Sequence, residues 1–303
     1  MQALSRLGAT CLVSVALVIG TVSAPASAAP APSSAAARSN VLRPGLTSYA
    51  PLDYVALGDS FTSGQGAPPY SDLTCLRSQY KSYPIITSVL SPYRLTANKA
   101  CSGANVDAVT AQLAGLSPAT KQSTKLVTLT VGGIDAGSNE VVAACAPGAL
   151  SGSPSLACIE QLLLSQGRLA DLAVKLPGLY AGIAAARPNA RIAVMGYPRL
   201  FESASLPADD PRKQLVEQVN GGIDGLNGVI QGAVGFTPEP PGVDRIRYVD
   251  VTGEFAGHGI GSRVPYIAFN PNDLDAPANF HPNVLGNTGG YYRALVNDGL
   301  LRR

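Results

Sequence analysis

An α/β fold, with one parallel sheet covered by helices on both faces, is predicted by the alternation of two kinds of segment. Short apolar runs bounded by Gly, Pro or Asn have the length of buried strands, and the longer segments between them have helical spacing. The strand-like runs are residues 54–57, 94–97, 126–131, 192–195 and 246–251. The helical segments are residues 80–90, 106–116, 159–186, 211–234 and 284–300. Because strand and helix alternate, the connections cross over the sheet, which makes the strands parallel and buries both faces.

The composition fits one large domain and excludes some partners. The chain has 303 residues, a net charge of +2 and only 14% charged residues. These charges form no basic patch, and basic residues are not interleaved with aromatic ones, so nucleic acid is not predicted as a partner. About 250 residues carry the alternating pattern, which is the size of a single α/β domain. We expect a monomer.

The N-terminus predicts export. Arg6 precedes an apolar run over residues 7–22, and Ala26-Ser27-Ala28 follows, as at a signal-peptide cleavage site. The run is shorter than the ~20 residues that span a bilayer, so we expect a signal peptide at 1–28 and no stable membrane insertion. Residues 29–48 begin with an Ala-, Pro- and Ser-rich stretch without apolar period and predict a flexible leader. The predicted domain, residues 49–303, would then be secreted.

The first strand-like run ends in a small polar turn, Gly58-Asp59-Ser60. A serine hydroxyl becomes a useful nucleophile only with a base within hydrogen-bond reach and donors for the oxyanion that forms. Loops at the carboxyl edge of a parallel sheet can present all three. By itself, the turn is equally consistent with a strand-to-helix connection in which Asp59 or Ser60 caps the helix. We expect Asp59 to brace the turn through its side chain.

Three further motifs follow this turn in order. They are Cys101-Ser102-Gly103-Ala104, Val131-Gly132-Gly133-Ile134-Asp135 and Phe280-His281-Pro282-Asn283. Together the four blocks resemble those of the SGNH (GDSL) hydrolases, in particular the secreted actinobacterial lipases and esterases, over residues 53–300. The resemblance implies a flavodoxin-like three-layer α/β/α sandwich with five parallel strands in the order 2-1-3-4-5. It also implies a secreted hydrolase that cleaves carboxylic esters, fatty-acyl or phospholipid esters among them, without a metal or organic cofactor.

The same resemblance assigns roles to individual residues. Ser60 is the implied nucleophile and His281 the implied base, while His258, between two glycines, matches a Gly-His pair that is structural in relatives. The implied oxyanion donors are the backbone N–H groups of Ser60 and Gly103. With a histidine base of reference pKa ~6.5, kcat/KM is expected to rise with pH through that region.

Two positions depart from the family pattern. Where many relatives have an oxyanion-hole asparagine, this chain has Ile134, which has no side-chain donor; Asn139 is an alternative donor. Asp135 is expected to be a structural partner of the first loop.

The second departure is Ala278, three residues before His281, where many relatives carry an aspartate. Three explanations compete. A backbone carbonyl of Ala278 or Asn279 could orient the imidazole, which is the interpretation we favour; Asp273 or Asp275 could do so; or the site could be inactive. In the last case the protein would be a secreted binding protein on the same scaffold.

The cysteines predict disulfides. Four of them, Cys75, Cys101, Cys145 and Cys158, follow the predicted signal peptide, and an even number in an exported chain favours bridges. A zinc site is disfavoured because no CxxC motif occurs and the chain has only two histidines. The resemblance implies the pairs Cys75–Cys101 and Cys145–Cys158.

Two long loops interrupt the alternation, at residues 146–156 and 253–280. Loops of this length in a compact domain are usually functional or disordered. We expect the second to form a wall of the substrate cleft. Its apolar residues Tyr266, Ile267 and Phe269 suggest an acyl-chain cleft and so a lipid or fatty ester, although core packing would use the same residues. A carbohydrate acetyl esterase is the alternative within the hydrolases.

Overall fold

The computed structural model describes residues 50–240 and 242–302. The predicted signal peptide, 1–28, and leader, 29–48, lie outside the described residues. The strands are β1 (Leu52–Gly58), β2 (Tyr70–Asp72), β3 (Arg77–Ser78), β4 (Tyr93–Asn98), β5 (Thr124–Thr130), β6 (Arg191–Met195) and β7 (Ile246–Val249). All but β2 and β3 form one parallel sheet in the order β4-β1-β5-β6-β7. Counted along the chain, this is the predicted order 2-1-3-4-5, so the predicted fold class is confirmed.

Helices cover both faces of this sheet. They are α1 (Ser60–Ser63), α2 (Tyr83–Leu90), α3 (Val106–Ala114), α4 (Ser138–Ser151), α5 (Leu156–Ala186), α6 (Pro211–Phe236), α7 (Thr252–Phe255) and α8 (Arg293–Asn297), with a π-helical segment at Gly286–Tyr292. Alternate residues of β1 enter different cores, as the pleat requires. Val55 and Leu57 pack with α3, α5 and α6, whereas Tyr54 and Ala56 pack with α2, α7 and the C-terminal helices.

The prediction of a loop at residues 146–156 is wrong for residues 146–151, which belong to α4. The stretch contains Pro147, which removes a helical N–H and predicts a break. Packing outweighs that loss, because Val141, Cys145 and Ala149, spaced by four residues, lie on one buried face against α6. Only four residues remain between α4 and α5.

The predicted C-terminal helix, 284–300, is present but irregular. Its first part is the π-helical segment, and α8 follows. Glycines allow this backbone to approach its neighbours closely: a Cβ on Gly290 would lie 2.1 Å from the Phe255 ring. The tight packing against α7 therefore shapes this segment.

Both disulfides implied by the family resemblance are present. Cys75–Cys101 joins the turn of the short β2–β3 hairpin, which the sequence analysis did not predict, to the loop before α3. Cys145–Cys158 joins α4 to α5. Each bridge therefore fixes a connection that starts at the carboxyl edge of the sheet.

Helix α5 is long and apolar enough to cross a membrane by length and composition alone. Such a test is also passed by core helices. Leu172, Leu176 and Ile183 of this helix are buried in the core beneath the sheet. Its second half therefore serves as a core helix of this domain.

Candidate active site

A sharp turn places Ser60 at the carboxyl edge of the central strand. Strand β1 ends at Gly58, whose φ of 122° is one that L-residues rarely adopt, and a Cβ there would lie 2.4 Å from the Thr130 carbonyl oxygen. Asp59 then caps α1, because its Oδ1 accepts a hydrogen bond from the Phe61 N–H at 3.0 Å. Ser60 follows as the first residue of α1 and is only 6% exposed.

The structure brings Ser60 and His281 together across 221 residues of sequence. His281 Nε2 lies 2.8 Å from Ser60 Oγ. The other ring nitrogen, Nδ1, lies 2.7 Å from the carbonyl oxygen of Asn279. Neither Asp273 nor Asp275 hydrogen-bonds to the ring. Of the three explanations for Ala278, this geometry matches the backbone carbonyl.

Close backbone packing holds His281 against the serine loop. A Cβ on Gly66 would lie 2.5 Å from the His281 carbonyl oxygen, so only glycine allows the two segments to approach this closely. The preceding residue, Phe280, has a φ of 61°, which costs a non-glycine residue of order 1–3 kcal/mol. Two backbone hydrogen bonds hold this conformation. The Phe280 N–H donates to the Ala268 carbonyl, and the Ala268 N–H donates to the His281 carbonyl.

Burial keeps the imidazole neutral. Loss of solvent lowers the pKa of His281 to about 4, and the hydrogen bond to the Asn279 carbonyl opposes this only in part. The Nδ1–H can donate to Asn279, which leaves the Nε2 lone pair facing the Ser60 hydroxyl. The ring can therefore accept a proton from the serine at neutral pH.

The Asp59 carboxyl is the centre of a buried hydrogen-bond network under the serine. Its Oδ1 accepts from Thr130 Oγ1 at 2.6 Å, and its Oδ2 accepts from the Tyr197 hydroxyl. Burial raises the pKa of Asp59 to about 6, against the opposing effect of these donors. Asp59 thus braces the turn, as expected.

Tyr197 is a site residue that the sequence analysis missed. Its hydroxyl donates to Asp59 and accepts from the Gly133 N–H at 3.1 Å, so it joins the first and third sequence blocks. The available signal was its position, two residues after the end of strand β6, at the edge where the other blocks meet. Asp135 is expected from the sequence to be a structural partner of the first loop; its hydrogen bond goes instead to α3, where its Oδ2 accepts from the Val106 N–H.

Gln65 is a second residue that the sequence analysis missed. Its Nε2 donates to the Pro277 carbonyl at 2.6 Å, and its Oε1 accepts from Ser102 Oγ at 2.6 Å. Its backbone N–H donates to the Ser60 carbonyl at 3.1 Å. This one amide side chain thus joins the serine turn, the Gly103 loop and the segment that leads to His281.

We expect Gln65→Leu to lower kcat by about tenfold with little change in KM, because two loops lose their shared hydrogen bonds without losing packing volume. Steady-state kinetics on a soluble aryl ester will measure this. Combined with Ser102→Ala, the double variant should lose less than the sum of the two single effects, as expected for one shared bond. Fully additive losses would contradict the role of Gln65 as a link.

The two predicted oxyanion donors, the N–H groups of Ser60 and Gly103, differ in their position relative to the cavity. Within residues 50–240 and 242–302, neither the Ser60 N–H nor the Gly103 N–H donates a hydrogen bond. Gly103 is exposed and does not line the cavity beside Ser60, whereas Ile134 and Asn139 do. The second backbone donor therefore stays a prediction.

The cavity beside Ser60 and His281 has a volume of about 450 Å³. Its apolar lining comes from α4, α6, the loop after β6 and residues 274–280 of the late loop: Val142, Leu200, Ile223, Leu226, Leu274 and Phe280. The late loop is thus a wall of the cleft.

The prediction that Tyr266, Ile267 and Phe269 line the cleft is wrong. Ile267 is 1% exposed and belongs to the core, and Tyr266 packs edge-to-face on Phe255. Tyr266 also stacks on His258 at a ring distance of 3.8 Å, which gives that histidine a structural contact. The apolar character of these residues cannot distinguish a core position from a cleft position, because both environments favour apolar side chains.

Comparison with known proteins places this chain in a family. The family model for the GDSL-like lipase/acylhydrolase family matches residues 56–288. This chain belongs to that family. Lipase 1 of Streptomyces coelicolor is 31% identical over 251 residues, covering 80% of this chain and 85% of that lipase. The resemblance to SGNH (GDSL) hydrolases of actinobacteria is confirmed.

Solved structures agree with this assignment. The extracellular lipase from Streptomyces rimosus has a TM-score of 0.69 at 29% identity, with 81% of this chain and 99% of that chain covered. Phospholipase A1 from Streptomyces albidoflavus NA297 has a TM-score of 0.68 at 29% identity, with 82% and 99% covered. With the lipase relatives, membership of this GDSL family supports a carboxylic ester hydrolase.

Proposed function

We propose that this ester hydrolase works through a Ser60–His281 dyad and an acyl-enzyme, and that it cleaves fatty-acyl esters outside the cell. The observation that carries the proposal is the chain of contacts from Ser60 Oγ to His281 Nε2 at 2.8 Å and from His281 Nδ1 to the Asn279 carbonyl at 2.7 Å. A base oriented in this way has its lone pair directed at the nucleophile. The neutral carbonyl fixes the tautomer, although it stabilises an imidazolium less than a carboxylate would.

In the first half-reaction, the Ser60 proton passes to His281 Nε2 as Oγ attacks the ester carbonyl carbon. The tetrahedral oxyanion is stabilised by the Ser60 N–H, and the Gly103 N–H is the proposed second donor. The C–O bond of the alcohol then breaks, and His281 returns the proton to the leaving oxygen. In the second half-reaction, water gives a proton to His281 Nε2 as its oxygen attacks the acyl carbonyl carbon. The bond between that carbon and Ser60 Oγ then breaks, and His281 returns the proton to Oγ as the acid is released.

The pH dependence should report the partly buried imidazole of His281. Only neutral His281 accepts the serine proton, and its pKa is lowered to about 4, so kcat/KM should rise with pH through about 4 and then level off. This places the rise well below the ~6.5 that the sequence analysis expects for an ordinary histidine. Initial rates on a soluble ester, at each pH where the circular dichroism is native, will measure it.

Asp59, with a pKa raised to about 6, is the other group that could contribute to this profile. The profile should therefore be repeated in Asp59→Asn. A midpoint that stays near 4 in both proteins supports His281. A midpoint near 6.5 in both would mean that solvent reaches the ring, against the burial that lowers its pKa.

The apolar lining of the cleft supports a fatty-acyl substrate over an acetylated sugar. Val142, Leu200 and Leu226 line the cavity beside Ser60 and give an acyl chain an apolar surface to pack on. We expect kcat/KM on p-nitrophenyl esters to increase from acetate to medium or long acyl chains, by roughly tenfold for each two or three buried methylenes. A preference for acetate would contradict the fatty-acyl assignment while leaving ester hydrolysis intact.

Secretion is supported by three features of different kinds. The N-terminal run at residues 7–22 has the pattern of a signal peptide. Two disulfides are typical of an oxidising compartment. The related Streptomyces rimosus lipase is described as extracellular. N-terminal sequencing of the protein from culture medium tests the cleavage after Ala28.

A further inference from the structure

A second groove continues from the active-site cavity along α4, α5 and α6. It has a volume of about 730 Å³, within the range of ligand pockets. It shares five lining residues with the cavity beside Ser60: Ser138, Val142, Leu200, Ile223 and Leu226. None of the residues that line this groove carries a charge. An apolar chain that leaves the cavity can therefore follow the groove without desolvating a charged group.

The outer end of the groove is bordered by exposed leucines at the start of α5. Leu156 is 85% exposed and Leu163 is 64% exposed, and Ile159 and Leu164 are also exposed. Positions 156, 159 and 163 repeat with helical spacing and lie on one face. Ile159 and Leu163 also line the groove, so the exposed stripe and the groove are one continuous apolar surface.

The segment that carries this stripe is nearly free of charge. Between Leu150 and Gly167 the only charged residue is Glu160. The Cys145–Cys158 disulfide and the buried contacts of Val141 and Leu215 fix the segment on α6. It is therefore an apolar surface with a single charge, which is too little to select a charged partner by electrostatic complementarity.

We propose that this α4–α5 surface, residues 150–167, docks onto the surface of aggregated lipid, and that the groove passes an acyl chain from there to Ser60. The inference rests on the proposed fatty-acyl specificity. Lipid is favoured over a protein partner because the surface is apolar, carries only the charge of Glu160 and leads into the cleft that holds Ser60. A second copy of the chain is the alternative occupant.

Tryptophan fluorescence can test the docking without any activity assay, because the chain contains no tryptophan. In Leu163→Trp, the emission should shift to shorter wavelength and rise when phosphatidylcholine vesicles are added. Val174→Trp is the matched control, since Val174 is 80% exposed on the same helix but about 16 Å further along it. It should show no shift. An unshifted Leu163→Trp, or equal shifts in both proteins, would overturn the proposal.

Kinetics separate docking from chemistry. The triple variant Leu156→Ser, Leu163→Ser and Leu164→Ser should hydrolyse a soluble short-chain ester at about the wild-type rate. It should hydrolyse a long-chain fluorogenic ester dissolved in the same vesicles about tenfold more slowly or worse. Val174→Ser should match the wild type in both assays. Equal losses on both substrates, in a protein with native circular dichroism, would assign these residues to the chemistry instead and overturn docking.

Light scattering, which measures the oligomeric state, tests the alternative that a second copy of the chain binds to this surface. A wild-type dimer that the triple variant converts to a monomer would make the surface a contact between copies and overturn the lipid assignment. If the wild type fails to cleave any soluble ester, the proposed function fails, whereas the fluorescence shift of Leu163→Trp still decides the docking by itself.

Discussion

Replacing Ser60 by alanine should lower kcat for ester hydrolysis by about a thousandfold or more, since the variant lacks the oxygen that would form the acyl-enzyme. Removal of a serine nucleophile leaves only binding and the oxyanion donors, and losses of order 10³–10⁶ are typical. Hydrolysis of a p-nitrophenyl ester measures the rate. A fluorophosphonate probe measures the nucleophile directly, because it labels the wild type and should leave Ser60→Ala unlabelled.

Ser63→Ala is the matched control for this experiment. Ser63 is a buried serine in the same short helix, and its hydroxyl hydrogen-bonds to the backbone carbonyls of Ser60 and Leu76 instead of to a base. It should keep both labelling and most of the activity. Labelling that persists in Ser60→Ala would contradict the assignment of the nucleophile. A folded wild type that takes no label at pH 8 would support the binding-protein alternative.

Introducing a donor at Ile134 should raise kcat by up to about a hundredfold. A single oxyanion donor typically stabilises the transition state by about 3 kcal/mol, and isoleucine supplies none. Ile134 lines the cavity beside Ser60, so an asparagine there can direct its amide into the same space. Turnover of a short-chain aryl ester by Ile134→Asn tests this.

Ile134→Asp is the control, because aspartate has the shape of asparagine but no N–H donor. It should not gain activity. A folded Ile134→Asn with an unchanged rate would mean that another donor already fills this role. Asn139 is the first to examine, since it lines the same cavity, and in that case Asn139→Ala should lower kcat.

Sequence pattern predicts the fold here because local and tertiary preferences agree in most segments. The runs at 126–131 and 192–195 are buried strands in the structure, at nearly the predicted bounds. The agreement fails at α4, where Pro147 predicts a break but a buried face spaced by four residues maintains the helix. A local signal of this kind is overridden when packing contributes more.

In the candidate site, too, some residues could be predicted from the sequence and others could not. Ser60 and His281 could be predicted because each lies in a short motif whose residues are adjacent in the chain. The contacts of Gln65 and Tyr197 could not, because their partners, Pro277 and Asp59, are 212 and 138 residues away. No local spacing encodes such pairs.

By itself, the sequence determined the layers of the fold and the order of the four motifs, since these depend on spacing along the chain. The family resemblance of those motifs then pointed to Ser60 and His281 as the proposed nucleophile and base. Only the tertiary structure decided that the Asn279 carbonyl faces the imidazole, that Ile267 packs in the core, and that α4, α5 and α6 leave an apolar groove beside Ser60. Orientation and burial depend on which distant segments meet, and apolar side chains serve a core and a cleft equally well until that packing is known.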